Sequence, residues 1–102
     1  GGKMEDIIKK INREFELFDI GMLSTSKANL FTKSAEIEKK KAIFHFVKEH
    51  QKREKFSEEE MQILLACDNI LEEIYRYVDS YLIEEGSIDV AVLTWLFNQK
   101  KS

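Results

Sequence analysis

Phe56-Ser57-Glu58-Glu59-Glu60-Met61 is the stretch that decides the fold. Ser57 followed three residues later by Glu60 is a capping box. The serine hydroxyl can accept from the N3 amide, and the glutamate can reach back to the N-cap amide. Phe56 and Met61 stand at the N′ and N4 positions of a hydrophobic staple. Three carboxylates in one first turn also suit the positive end of a helix dipole. A helix therefore begins at Glu58. Its apolar residues, from Ile63 and Leu64 through Ile70, Leu71, Ile74 and Val78 to Leu82, recur on one broad side, and no Gly or Pro interrupts them until Gly86. The pattern predicts one long helix reaching Glu84, about 40 Å, with Gly86 as its C′ residue.

Working back toward the N-terminus, Met4, Ile8, Ile11, Phe15, Phe18 and Met22 recur in steps of four and three. That spacing predicts a helix over Met4–Ile20 with a core-facing seam, ended by Gly21 as a C′ glycine. Residues 22–34 are rich in Ser, Thr and Asn and read as a loop, with Leu30 and Phe31 tucking it onto the core through one short helical turn. A second helix is expected over Ala35–Lys55, N-capped by Ser34 or Thr32. Ile37, Ile43, Phe44 and Val47 share one side of it and Phe46 falls away, as in a helix touching two neighbours.

Residues 87–100 read two ways. Asp89 as N-cap with Ile88 and Leu93 as a staple favours a helix, whereas the alternation of Ile88, Val90, Val92 and Thr94 resembles a strand. A single strand would have no sheet to join, so the helix is favoured. Apolar side chains surround the segment almost completely, so it is expected to be buried or to meet another chain in part. The fold class is all-α: an irregular antiparallel bundle of three long helices and a shorter C-terminal one. It forms one domain over residues 4–102, with Gly1–Lys3 read as a cloning remnant ahead of Met4.

The totals exclude several classes. A chain of 102 residues with eleven aromatics and eleven isoleucines has enough apolar surface for one self-sufficient core. One cysteine can form neither an internal disulfide nor a cysteine-based zinc site. No apolar run approaches the ~20 residues of a bilayer span, and the acidic residues Glu5 and Asp6 do not suit a signal peptide. The expected setting is cytoplasmic. Lys outnumbers Arg thirteen to three and Ile is abundant, a bias shared by AT-rich genomes such as those of low-GC bacteria, phages and mobile elements.

No group of residues has the form of a catalytic site, a metal site or a cofactor site. His45 and His50 are five apart, so their rings diverge by about 140° on a helix. Zinc ligands on one helix face need a spacing of three or four. His45 is instead expected to pair with Glu49. Cys67 lies within the apolar arc with no base nearby in sequence and reads as core packing. Asp68, Glu72 and Asp79 form an acidic stripe on the same long helix, and Glu72 and Arg76 form an i,i+4 ion pair.

By elimination the chain is expected to be non-enzymatic and to act by binding another protein, as a regulator, inhibitor or adaptor, or to pair with itself as a homodimer. The candidate contacts are Trp95, Phe97, Tyr77, Tyr81 and Ile83. Trp95 and Phe97 are two apart on a helix and cannot both face one core line, so one of them should be exposed. Leu17, Ile20 and Leu65 also fall off the main apolar faces. The alternative is nucleic-acid binding by the basic stripe Lys41, His45, Lys48 and Lys52 at i, i+4, i+7 and i+11. A further alternative is an acidic mimic of nucleic acid, or a helical protein akin to a bacteriocin immunity protein. Residues 1–56 carry thirteen basic against nine acidic side chains, a balance of +4, and residues 57–102 carry three against ten, a balance of −7. Antiparallel packing of the second and third helices could cancel that asymmetry internally.

Overall fold

The computed structural model describes residues 2–80 and 88–101, with side chains left aside at 2–4 and 32. Among these residues the chain is all-α, with six helices and no strand: α1 (Gly2–Leu23), α2 (Lys27–Thr32), α3 (Ser34–Arg53), α4 (Glu58–Ala66), α5 (Ile70–Ser80) and α6 (Ile88–Lys101). α1 and α6 each pack on α3, α4 and α5. The core where they meet is built of Ile7 and Ile11 from α1, Ile43 and Val47 from α3, Leu64 from α4, Ile70, Ile74 and Val78 from α5, and Val92, Trp95 and Leu96 from α6. No described helix is long and apolar enough to cross a membrane.

The capping box is present as read. The Glu60 amide donates to Ser57 Oγ at 3.2 Å, and the Ser57 amide donates to Glu60 Oε1 at 2.8 Å. The chain is delivered to it by Lys55, which adopts a left-handed φ of 62° and donates its amide to His50 O. Buried Gln51 then accepts from the Phe56 amide at 3.0 Å, which seats Phe56 in the core.

Several boundaries differ from expectation. α1 passes through Gly21, which has no positive φ, and runs to Leu23. The carbonyls of its last turn are met by the hydroxyls of Ser24, donating to Ile20 O, and Thr25, donating to Gly21 O. The glycine is therefore not needed as a terminator. Residues 27–32 form the short helix α2, N-capped by Ser26, but Phe31 is 86% exposed instead of tucked inward. The N-cap of α3 is Lys33, not Ser34 or Thr32, and it makes no side-chain cap bond. Its amide still donates to Asn29 O and its carbonyl accepts from Ile37, so the backbone at that joint is already satisfied. Asp89 lies in the first turn of α6, which starts at Ile88, and is not its N-cap. The expected end of the long helix at Glu84 and the Gly86 terminator lie outside the described residues.

The main correction concerns that long helix, which is broken. α4 stops at Ala66, Cys67 turns extended (ψ 137°), and α5 starts at Ile70. The break frees carbonyls at the end of α4 and amides at the start of α5. Asn69 Oδ1 accepts from the Glu72 amide at 3.0 Å. The rest is supplied from α1, more than fifty residues away. Lys10 Nζ donates to Leu65 O and Cys67 O, and Glu14 Oε1 accepts from the Leu71 amide at 2.9 Å. Lys10 and Glu14 are one turn apart, so a cation meets the negative end of α4 and a carboxylate meets the positive end of α5.

Gly21 is a helix-interior glycine, and a Cβ added there would meet nothing within 4 Å. Gly21→Ala should therefore stabilise the fold by about 0.5–1 kcal/mol, the conformational cost of glycine in a helix. Thermal unfolding followed by circular dichroism would show Tm rising by a few degrees.

Candidate functional site

α6 carries two apolar faces. Ile88, Ala91, Val92, Trp95 and Leu96 are buried. Val90, Leu93 and Phe97, at i, i+3 and i+7, lie on the opposite side and are 62%, 42% and 54% exposed. At 100° per residue these three fall within about 60° of one another. Thr94, beside them, turns its hydroxyl onto Val90 O at 2.8 Å and so leaves its methyl toward solvent. Lys101 Nζ lies 4.5 Å from the Phe97 ring centroid, a cation–π contact that edges the stripe with charge. The apolar surplus seen in residues 87–100 is thus divided between a core face and an outward one.

Of the residues singled out in sequence, Trp95 is 5% exposed and belongs to the core, while Phe97 points outward. Tyr77 is half-buried against the core, as is Leu65. Tyr81 and Ile83 lie outside the described residues. Val90 and Leu93 were missed as contacts. Their spacing to Phe97 was a readable signal, but it was assigned to a strand alternation and to a staple.

The basic stripe of α3 faces solvent: Lys41, His45 and Lys52 are exposed and Lys48 is half-buried, its ammonium 5.3 Å from the Phe44 ring. Glu49 pairs with Arg53 at 3.5 Å and not with His45. His50 pairs with Glu54 and stacks on Phe56. Lys40, one residue before the stripe, is turned inward. It is 4% exposed, bonded to Glu36 at 2.8 Å and Glu72 at 2.6 Å, and lies over the rings of Phe18 and Tyr75. Lys40–Glu72 joins the basic and acidic halves through buried contacts, whereas the stripe itself remains on the surface. The acidic stripe is interrupted, because Asp68 sits in the break between α4 and α5. Glu72 does pair with Arg76, at 3.6 Å. No cluster of metal-ligating side chains occurs among the described residues.

The break is flanked by two open clefts. One, of about 250 Å³, is lined by Glu14, Leu17, Phe18, Lys40, Asn69, Leu71 and Glu72. The other, of about 280 Å³, is lined by Ile63, Ala66, Cys67, Glu73 and Gln99. Burial raises the pKa of Glu14 above the ordinary carboxylate value despite its bonds to backbone amides of α5. Its Oε2 is enclosed without a hydrogen-bond partner among the described residues. Burial, reinforced by Glu73, pushes the Cys67 thiol up to about 12, and its Sγ donates to Ile63 O at 3.3 Å. That thiol is not an activated nucleophile. Burial acts in the same direction on Glu60, but the Ser57 amide and the Lys100 ammonium, 3.1 Å away, outweigh it and lower the pKa.

No family model matches the sequence, and neither the curated proteins nor the solved structures contain a significant match to the chain.

Two outcomes follow for the break. A carboxylate whose folded pKa is raised binds its proton more tightly in the native state. Its contribution to stability is greatest below the ordinary value of 4.5 and falls as pH rises through the elevated one. Glu14→Gln keeps an acceptor for Leu71 and removes the buried charge. In urea titrations over a pH series, the stability of this variant relative to the parent should rise with pH across that window. A pH-independent difference would contradict this. Cys67 in the native protein should react with a thiol reagent at pH 8 at least tenfold more slowly than in urea, measured by the absorbance of released thiolate.

Proposed function

We propose that this chain is a non-enzymatic protein that works by docking another protein on the outer face of α6. The observation that carries the reading is the exposed stripe Val90, Leu93 and Phe97 on a helix whose opposite face is already in the core. Folding alone gives those three side chains no reason to be apolar. Phe97, an aromatic side chain exposed on a helix whose other face is fixed in the core, is of the type enriched at protein interfaces. The i, i+3, i+7 spacing fits a partner helix or groove laid along α6.

Photo-crosslinking tests it. Benzoylphenylalanine placed at Phe97 or Leu93 should trap one discrete protein in cells of the source organism, and placement at exposed Gln62 should not. Phe97→Asp should abolish the capture while changing stability by less than about 0.5 kcal/mol, as expected for an exposed site. Equal trapping from position 62, or capture that survives Phe97→Asp, would sink the reading.

A second reading rests on the α3 stripe, whose Lys41 and Lys52 form no ion pair among the described residues and line up over about 16 Å. It supports binding along nucleic-acid phosphates. Lys41→Glu with Lys52→Glu should then weaken binding to duplex DNA and lower its salt dependence by about two counterions. Absence of binding at low salt would dismiss it.

A further inference from the structure

Between Phe15 and Lys39 no described side chain is buried, although nine large apolar residues fall in that stretch. Leu17, Ile20, Leu23 and Phe31 are 59%, 52%, 81% and 86% exposed. A monomer rarely leaves so many large apolar side chains together in water. Glu16, Asp19, Ile20 and Leu23 follow i, i+3, i+4 and i+7 and so share one face of α1, about half a turn from the core-facing Ile7, Ile11 and Phe18. Four residues after Leu23 α2 begins, and Lys27 and Phe31, at i and i+4, share a face of it. Glu16, Asp19, Lys27 and Lys33 form no ion pair among the described residues.

The corner therefore presents apolar side chains with two unpaired acids on α1 and an unpaired base, Lys27, beside Phe31 on α2. An interface between identical subunits across a two-fold axis must be complementary to itself, and this arrangement is. Setting α1 of one copy against α2 of the other brings Glu16 and Asp19 toward Lys27 of the second copy, twice over. Ile20 and Leu23 then meet Phe31. We propose that the α1–α2 corner is a homodimer interface. The residues differ from those of the α6 reading, so each proposal can fail alone.

Sedimentation equilibrium from micromolar to millimolar protein tests it. The parent should show a concentration-dependent monomer–dimer equilibrium. Leu23→Asp with Phe31→Asp should be monomeric throughout with an unchanged Tm, since both sites are exposed. The reversals Glu16→Lys with Asp19→Lys, and Lys27→Glu, should each weaken the dimer at least tenfold at low salt. An equimolar mixture of these two variants should dimerise again, because each then offers the charge that the other lacks. A parent that stays monomeric at millimolar concentration overturns the proposal. So does a dimer indifferent to the two aspartates, or a mixture no better associated than its components.

Discussion

The architecture depends on the clamp that α1 places on the break between α4 and α5. A helix interrupted without a glycine or proline leaves carbonyls and amides that must find partners, because an unpaired buried backbone group costs roughly as much as a lost hydrogen bond. Asn69 caps α5 locally, but the remaining partners come from Lys10 and Glu14. The two side chains are one turn apart on α1 and carry the signs that the two helix ends require. The same bonds that complete α4 and α5 also fix the height and rotation of α1 against them. Secondary structure and tertiary docking are here a single event.

Consequences run outward from that point. With its first amides held by Glu14 and Asn69, α5 directs Ile70, Leu71, Ile74 and Val78 into the core and turns Glu72 toward α3. There Glu72 meets Lys40, which is too enclosed to be stable without its two carboxylates and the rings of Phe18 and Tyr75. A buried cation of this kind is weak evidence for net stabilisation, but it fixes which face of α3 turns inward. Once Lys40 is inward, Lys41, His45 and Lys52 are turned outward, about a third of a turn away. The exposed basic stripe is therefore a by-product of the same packing.

Much of this was legible from local chemistry. The capping box at Ser57 and Glu60, the helical character of residues 88–101, and the division of Trp95 and Phe97 between core and solvent all follow from spacings of two to four residues. The break did not follow, because Leu64, Leu71 and Val78 keep a seven-residue period straight across it and so mimic one uninterrupted helix. The only local trace was Asn69 followed three residues on by Glu72, a cap-type pair within an apolar pattern. What makes the interruption tolerable is contributed from more than fifty residues away, and no window along the chain contains it. The exposure of Phe31 was hidden for a related reason. Apolar content marks the residue as one to be covered, and sequence alone does not say whether the cover is this chain's own core.

The two uncovered apolar surfaces lie at the end of α1 with α2, and along α6. α1 and α6 each pack onto α3, α4 and α5, and α2 packs onto α3. A contact made at one need not occlude the other. If the α1–α2 corner is used by a second copy, the α6 faces of the pair remain open, and the dimer presents two identical docking stripes related by the two-fold axis. Engagement of both by a repetitive or dimeric partner would then gain from effective concentration, which can exceed the single-site affinity by about 10²–10⁴ when the geometry permits. A small helical protein with modest individual contacts can in that way bind firmly without a large interface.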